Sequence, residues 1–192
     1  MTGNDIVDIN VAAAESNWKR KGFLQKIFTP QEQQYISNAA LPDDMVWKLW
    51  TMKESAYKVY TRQHGGRFFA PLKFSCTVMT EKTGIVEYGH DHYQTDTISA
   101  KKYIYSIASL KGFTNTKLLS YCFYLPQMEY TKQQQFIYEK LVAGYNAITG
   151  VKKEDPAIVK DKNGIPFLHC SNNVRVPISI THHGNFAAFT IN

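Results

Sequence analysis

Residues 49–60, LWTMKESAYKVY, constrain the fold of this chain more than any other stretch. Read with the residues just before it as a helix turning ~100° per residue, the segment gathers Val46, Leu49, Trp50, Ala56, Tyr57, Val59 and Tyr60 on one side, with Lys48, Thr51, Ser55 and Lys58 opposite. Such a face has to be buried. Glu54 nevertheless projects between Trp47 and Trp50 at its edge, and Lys53 falls amid the apolar residues. Spacing alone permits two explanations. In one, Glu54 pairs with Lys58 across a single turn, worth ~0.2–0.5 kcal/mol, and Lys53 runs its stem along the core to water. In the other, the ionisable groups serve a site.

The chain is long enough to bury that face. With 192 residues, 44% hydrophobic and 20% charged, it suits one domain or two small halves sharing a core. Apolar runs fall short of the ~20 residues of a membrane span, and the opening MTGNDIVDIN lacks a signal-peptide pattern, so a cytoplasmic location is expected. Cys76, Cys122 and Cys170 are odd in number and widely spaced, which argues against a disulfide framework or zinc site and for reduced core thiols. A net charge of +6 calls for an anionic partner: nucleic acid, nucleotide or acidic protein. Lys19, Arg20, Lys21 and Lys26 cluster beside Trp18, Phe23, Ile27 and Phe28. They form either a solvated helix face or a docking surface.

The elements alternate. Residues 3–10 read as a strand and 12–26 as a helix; FTPQEQQYI then starts another helix, with Thr29 as N-cap, Pro30 in the first position and Glu32 three residues after the cap. Asp43 or Asp44 can cap the helix that runs to about Thr61. Four segments follow that are rich in β-branched and aromatic residues, FSCTVMT, TGIVEYG, KKYIYSIASL and KLLSYCFYL, and they predict antiparallel strands. Helical spacing returns in residues 131–150, with Phe136, Leu141 and Tyr145 on one face and Gly150 as stop. A hairpin turning at Asn163 and Gly164 and a final strand pair complete the chain. The expected class is α+β, with two related α/β halves of antiparallel sheet packed by helices, divided as 1–128 and 129–192.

The first strand supplies acids. Alternation sends Asp5 and Val7 to one face and Ile6 and Asp8 to the other. Carboxylates from this strand and from the helix at Glu54, converging near lysines, would hold a hard divalent cation together with waters and phosphates.

Three motifs then coincide: Gly3-Asn4-Asp5-Ile6, Trp50-Thr51-Met52-Lys53-Glu54-Ser55-Ala56-Tyr57-Lys58 and Ser179-Ile180-Thr181-His182, supported by FTPQE at 28–32 and NGIPFL at 163–168. Together they resemble the 4'-phosphopantetheinyl transferase superfamily. The order of the pieces resembles the family's larger monomeric branch with its second half first and a shortened first half last, which implies a circular permutation or the permuted product of an old duplication. The family's small trimeric members share the motif order but are much shorter.

The resemblance implies Mg2+-dependent transfer of the 4'-phosphopantetheine arm of coenzyme A to a serine of an apo carrier protein, releasing 3',5'-adenosine bisphosphate. Carried onto this chain, it makes Asp5 and Glu54 metal ligands, Glu54 and Lys58 catalytic, and Lys53 and Lys58 phosphate contacts. Thr181 and His182 would hold the coenzyme's ribose phosphate, with His183 a neighbour. Two departures stand out. Val7 occupies the place of a second strand acid, and Ile165 that of a turn lysine. The family's partners are acidic carrier proteins, for which Lys19, Arg20, Lys21, Phe23 and Lys26 would be the docking surface, and a monomer is expected. The rivals are a catalytically inactive relative that binds coenzyme A or a carrier, and a basic nucleic-acid binder using KKYIYSIASLK at 101–111.

Overall fold

The structure is a computed structural model that describes residues 1–112, 118–150, 156–170 and 173–192. Lys117, where one expected strand begins, lies outside the described residues.

The N-terminal strand, β1 (Thr2–Asp8), leads into α1 (Ile9–Glu15) and α2 (Phe23–Ile27), followed by α3 (Pro30–Asn38) and the long α4 (Pro42–His64). Where one helix was expected over 12–26, two short ones stand, because Gly22 before α2 takes a left-handed φ of 83°, a conformation that breaks a helix. The capping box of α3 forms as expected. Thr29 Oγ1 accepts from Glu32 N at 3.3 Å, and Glu32 Oε2 accepts from Thr29 N at 2.7 Å. Helix α4 has no side-chain cap. Leu41 takes that position ahead of Pro42, and Asp43 instead accepts a 2.7 Å hydrogen bond from Trp18 Nε1.

Five antiparallel strands make the first sheet: β1, β2 (Ser75–Val78), β3 (Thr83–Tyr88), β4 (Asp91–Ser99) and β5 (Tyr103–Leu110), in the order β1-β5-β4-β3-β2. Sequence patterning missed β4. Its inward positions are Tyr93, Thr95 and Thr97, so two of the three buried side chains are polar and the apolar alternation disappears. The basic and aromatic stretch 101–111 forms β5 between β1 and β4, with Ile104 and Tyr105 buried. That is a sheet core, and it corrects the reading of this stretch as a stacking surface for bases.

A second antiparallel sheet contains β6 (Leu119–Tyr124), β7 (Ala157–Lys160), β8 (Pro166–His169), β9 (Arg175–His183) and β10 (Phe186–Ile191), in the order β6-β10-β9-β8-β7, and α5 (Tyr130–Thr149) packs on it. The sheets divide between β5 and β6, so β6 joins the second sheet through its pairing with β10, ahead of the boundary at 128.

Helix α4 covers the first sheet. Val46, Leu49, Met52, Ala56 and Val59 are fully buried against Val7, Val86 and Ile104. Strand β1 is buried along its whole length because it is wedged between α4 and the second sheet. A Cβ at Gly3 would overlap Ser55 O, so only glycine lets β1 lie this close to α4. On its free edge, side chains of the second sheet satisfy the strand: Asn4 N donates to Ser179 Oγ at 3.3 Å and Asp8 N to His183 Nδ1 at 3.0 Å. The two sheets therefore meet along β1 and β9, and Ile6, Tyr105 and Ala188 form a small core behind the seam.

Cys76 and Cys170 are buried and Cys122 is half-buried, all as free thiols. Among the described residues no helix is long and apolar enough to cross a membrane.

Candidate active site

The seam gathers residues from both sheets. Lys58 Nζ donates to Asn4 O at 2.7 Å and to Asp5 Oδ1 at 2.9 Å, and Thr181 Oγ1 donates to the same Oδ1 at 2.9 Å. Asp5 is thus held by one cation from α4 and one hydroxyl from β9. The alternative of Lys58 paired with Glu54 along the helix gives way to this longer-range ion pair, because β1 approaches so closely at Gly3.

Glu54 keeps its unusual environment. Burial first, then the negative charge of Asp5, push its carboxyl up to about 7, while Lys58 pulls the other way. The two carboxylates are close enough to repel each other. That donor set, hard oxygens whose charge Lys58 offsets only in part, fits a divalent cation completed by water and phosphate oxygens. Among the described residues no group of three His, Cys, Asp or Glu side chains forms a cage, so Asp5 and Glu54 would be the protein's share.

Two pockets meet at Glu54. One, of about 260 Å³, also has Lys58, Arg62 and Arg67 in its wall and is closed by the turn at Asn163–Ile165. The other, of about 340 Å³, has Asp5, Phe23, Trp50 and His182 in its wall. His182 is exposed, and its imidazole is pushed down, first by burial of part of the ring, then by Lys58 and His183, which favours the neutral form at pH 7. It lines the pocket on the Asp5 side, near enough to Lys58 to feel its charge, and Thr181 gives its hydroxyl to Asp5.

Lys53 corrects the sequence reading. Rather than facing phosphates it is buried, with Nζ 2.7 Å from Glu32 Oε2 and donating to Pro71 O at 2.8 Å and Phe74 O at 2.7 Å. Glu32 Oε1 accepts from Cys76 N at 2.6 Å. This cluster ties α3 and the start of β2 to α4 and lines neither pocket. Asp8 faces away from Asp5 as alternation requires. It caps α1 through Asn10 N and Val11 N and accepts from Asn185 N, and although burial pushes its carboxyl up, these bonds outweigh that and hold it low. Patterning missed Arg62, although Glu54, Lys58 and Arg62 stand four residues apart and so share one helical stripe.

A family model described as the 4'-phosphopantetheinyl transferase superfamily matches residues 1–112. The chain belongs to that superfamily. The matched span holds β1, α4 and the rest of the first sheet, and the α+β architecture of paired antiparallel sheets is the fold expected of it. Solved structures of similar shape include an apo-ACPS from Chronobacterium ammoiniagenes, at TM-score 0.48 and 14% identity over 57% of this chain and 94% of that one. A Helicobacter pylori holo-[acyl-carrier-protein] synthase in complex with coenzyme A gives TM-score 0.46 and 14% identity over 58% of this chain and all of that one. The corresponding synthase from Neisseria meningitidis gives 0.47 and 14% over 57% and 96%. No curated protein matches the chain.

Proposed function

We propose that this superfamily member transfers the 4'-phosphopantetheine arm of coenzyme A to a serine hydroxyl of an apo carrier protein. The observation that carries the reading is the position of Glu54, which lines both pockets, with the cationic wall on one side and the more open, aromatic wall on the other. A diphosphate in the cationic pocket and a serine arriving through the other would meet at this carboxyl.

The chemistry balances with the residues present. The serine oxygen forms a bond to the β-phosphorus, the bond from that phosphorus to the bridging oxygen breaks, and 3',5'-adenosine bisphosphate leaves with the bridging electron pair. Glu54, its carboxyl raised towards neutrality, takes the serine proton directly or through water. Lys58, fixed by Asn4 O and Asp5, places a positive charge where the leaving phosphate develops negative charge. Thr181 orients Asp5. Asp5 and Glu54 would hold a magnesium ion, which when bound neutralises charge on the diphosphate.

The acceptor side carries the basic cluster. Lys19, Arg20 and Lys21 line a shallow hollow of about 440 Å³ between α1 and α2, and Phe23, which starts α2, also lines the pocket beside Asp5. This surface suits an acidic carrier protein whose serine must reach Glu54.

The test is incubation with coenzyme A, Mg2+ and apo carrier proteins, followed by mass spectrometry of the carrier. A mass gain of one phosphopantetheine arm is expected, and its loss in Glu54→Gln. No gain with any carrier, from a protein that still binds coenzyme A, would leave the inactive binding relative as the reading.

A further inference from the structure

The turn between β9 and β10 closes on one buried residue of β1. Asp8 is 1% exposed, and His183, Gly184 and Asn185 all pack on it. Its main-chain N–H donates to His183 Nδ1 at 3.0 Å, and its Oδ2 accepts from Asn185 N at 3.0 Å and from Asn185 Nδ2 at 3.3 Å. Between them Gly184 has a φ of 55°, and a Cβ there would come within 2.7 Å of both Asp8 Oδ2 and Val11 Cγ2. Only glycine lets the turn approach this closely. The turn is itself anchored, because Asn185 O accepts from Leu125 N at 2.8 Å.

What the turn grips is the entry to α1. Asp8 Oδ1 accepts from Asn10 N at 3.0 Å and Val11 N at 3.3 Å, so one carboxylate caps the helix and ties it to the second sheet. Ala12 and Ser16 after this cap, with Phe23 and Ile27 of α2, form one wall of the pocket that reaches Glu54; Trp47 and Trp50 of α4 form the opposite wall. The grip on Asp8 therefore bears on the width of the acceptor side. It also fixes the form of His183. A main-chain N–H can only donate, so Nδ1 is the acceptor, and we assign the ring proton to Nε2.

Resting on the transferase reading, we propose that His183 and Asn185 are positioning residues: through Asp8 they hold the α1–α2 wall at the spacing that lets a carrier serine reach Glu54. They act on the carrier side of Glu54 and leave the cationic pocket unchanged.

The experiment compares His183→Leu, His183→Asn and Asn185→Ala in the full chain. Asparagine puts an oxygen where Nδ1 stood, and leucine removes the acceptor. His183→Leu should raise the KM for apo carrier at least about fivefold, while kcat and the Kd of 3',5'-adenosine bisphosphate stay within about twofold of wild type. His183→Asn should restore the carrier KM. Asn185→Ala, with a smaller rise of about twofold to threefold, carries the same comparison if the leucine variant is insoluble. Hydrogen exchange gives a check that needs no carrier: amides of residues 9–16 should exchange faster in His183→Leu and Asn185→Ala than in wild type, and those of α4 should not. Equal losses in carrier and nucleotide parameters, an asparagine variant as impaired as the leucine one, or unaltered exchange over residues 9–16 overturns the assignment even where transfer persists. A wild-type chain that binds no nucleotide and modifies no carrier defeats the transferase reading itself, and the exchange result then decides the grip on α1 alone.

Discussion

Glu54 and Lys53, adjacent on α4, show how differently ionisable groups beside one apolar face are used. Glu54 has a folded-state pKa of about 7 against an ordinary 4.5, so the folded protein holds its proton more tightly than the unfolded chain does. That contribution is complete below pH 4.5 and is lost as pH rises through 7. Glu54→Gln, permanently neutral, should therefore leave metal-free stability unchanged near pH 4 and raise it by about 1–3 kcal/mol at pH 8, while abolishing transfer. Urea titrations at both pH values check this, and a destabilised variant at pH 8 would contradict it. Lys53 predicts the reverse. Its charge is matched by Glu32 inside the core, so Lys53→Met strands a buried carboxylate and should cost ~3–5 kcal/mol. Coenzyme A affinity, measured well below the melting temperature, should stay as in the wild type. Lost affinity with intact stability would return Lys53 to the phosphate site.

At the level of elements, what was legible in the sequence is what is local. The capping box of α3 needs only Thr29, Pro30 and Glu32, and the apolar face of α4 needs only its own spacing, so both could be read directly. The partner of Lys53 could not, because nothing in the spacing links residue 53 to residue 32, and β4 was hidden by the threonines it turns inward. Of the candidate site, Glu54 was readable because it breaks an apolar face and Asp5 because it flanks the apolar pair of its strand; Lys58, on the polar side of α4, was legible only through the motif, and Thr181 as partner of Asp5 depends on two sheets meeting. The α1–α2 segment was half legible: its charges were plain, its break at Gly22 was not. That break presents Lys19, Arg20 and Lys21 around a hollow instead of spreading them along one helix. Arg20→Glu with Lys21→Glu should lower carrier modification at low salt at least about tenfold, mainly through association, and flatten its dependence on ionic strength. Stopped-flow modification rates across a salt series would show it, and an unaltered salt slope would exclude this surface from docking.

For the whole molecule, the site depends on both sheets: β1 and α4 come from the first, β9 and the β7–β8 turn from the second. One chain thus supplies every residue named here, and activity per chain should not change on dilution, with sedimentation giving the mass of a single chain. A larger species whose dissociation removes activity would contradict that. The motif order, which we read as a circular permutation, makes a further demand on the same architecture. Permutation requires neighbouring ends, and Thr2 Oγ1 lies 2.9 Å from Thr190 Oγ1, so a short glycine-serine linker can join the termini without crossing the seam. The new ends would open between β6 and α5, after residue 128, where no sheet pairing is cut. Residues 129–192 followed by 1–128 should then fold with a melting temperature within about 5 °C of the parent and retain transfer, because every contact of Asp5, Glu54, Lys58 and Thr181 is preserved. An insoluble or molten rearranged chain would mean that folding needs the present order, and would count against reading 1–128 and 129–192 as exchangeable halves.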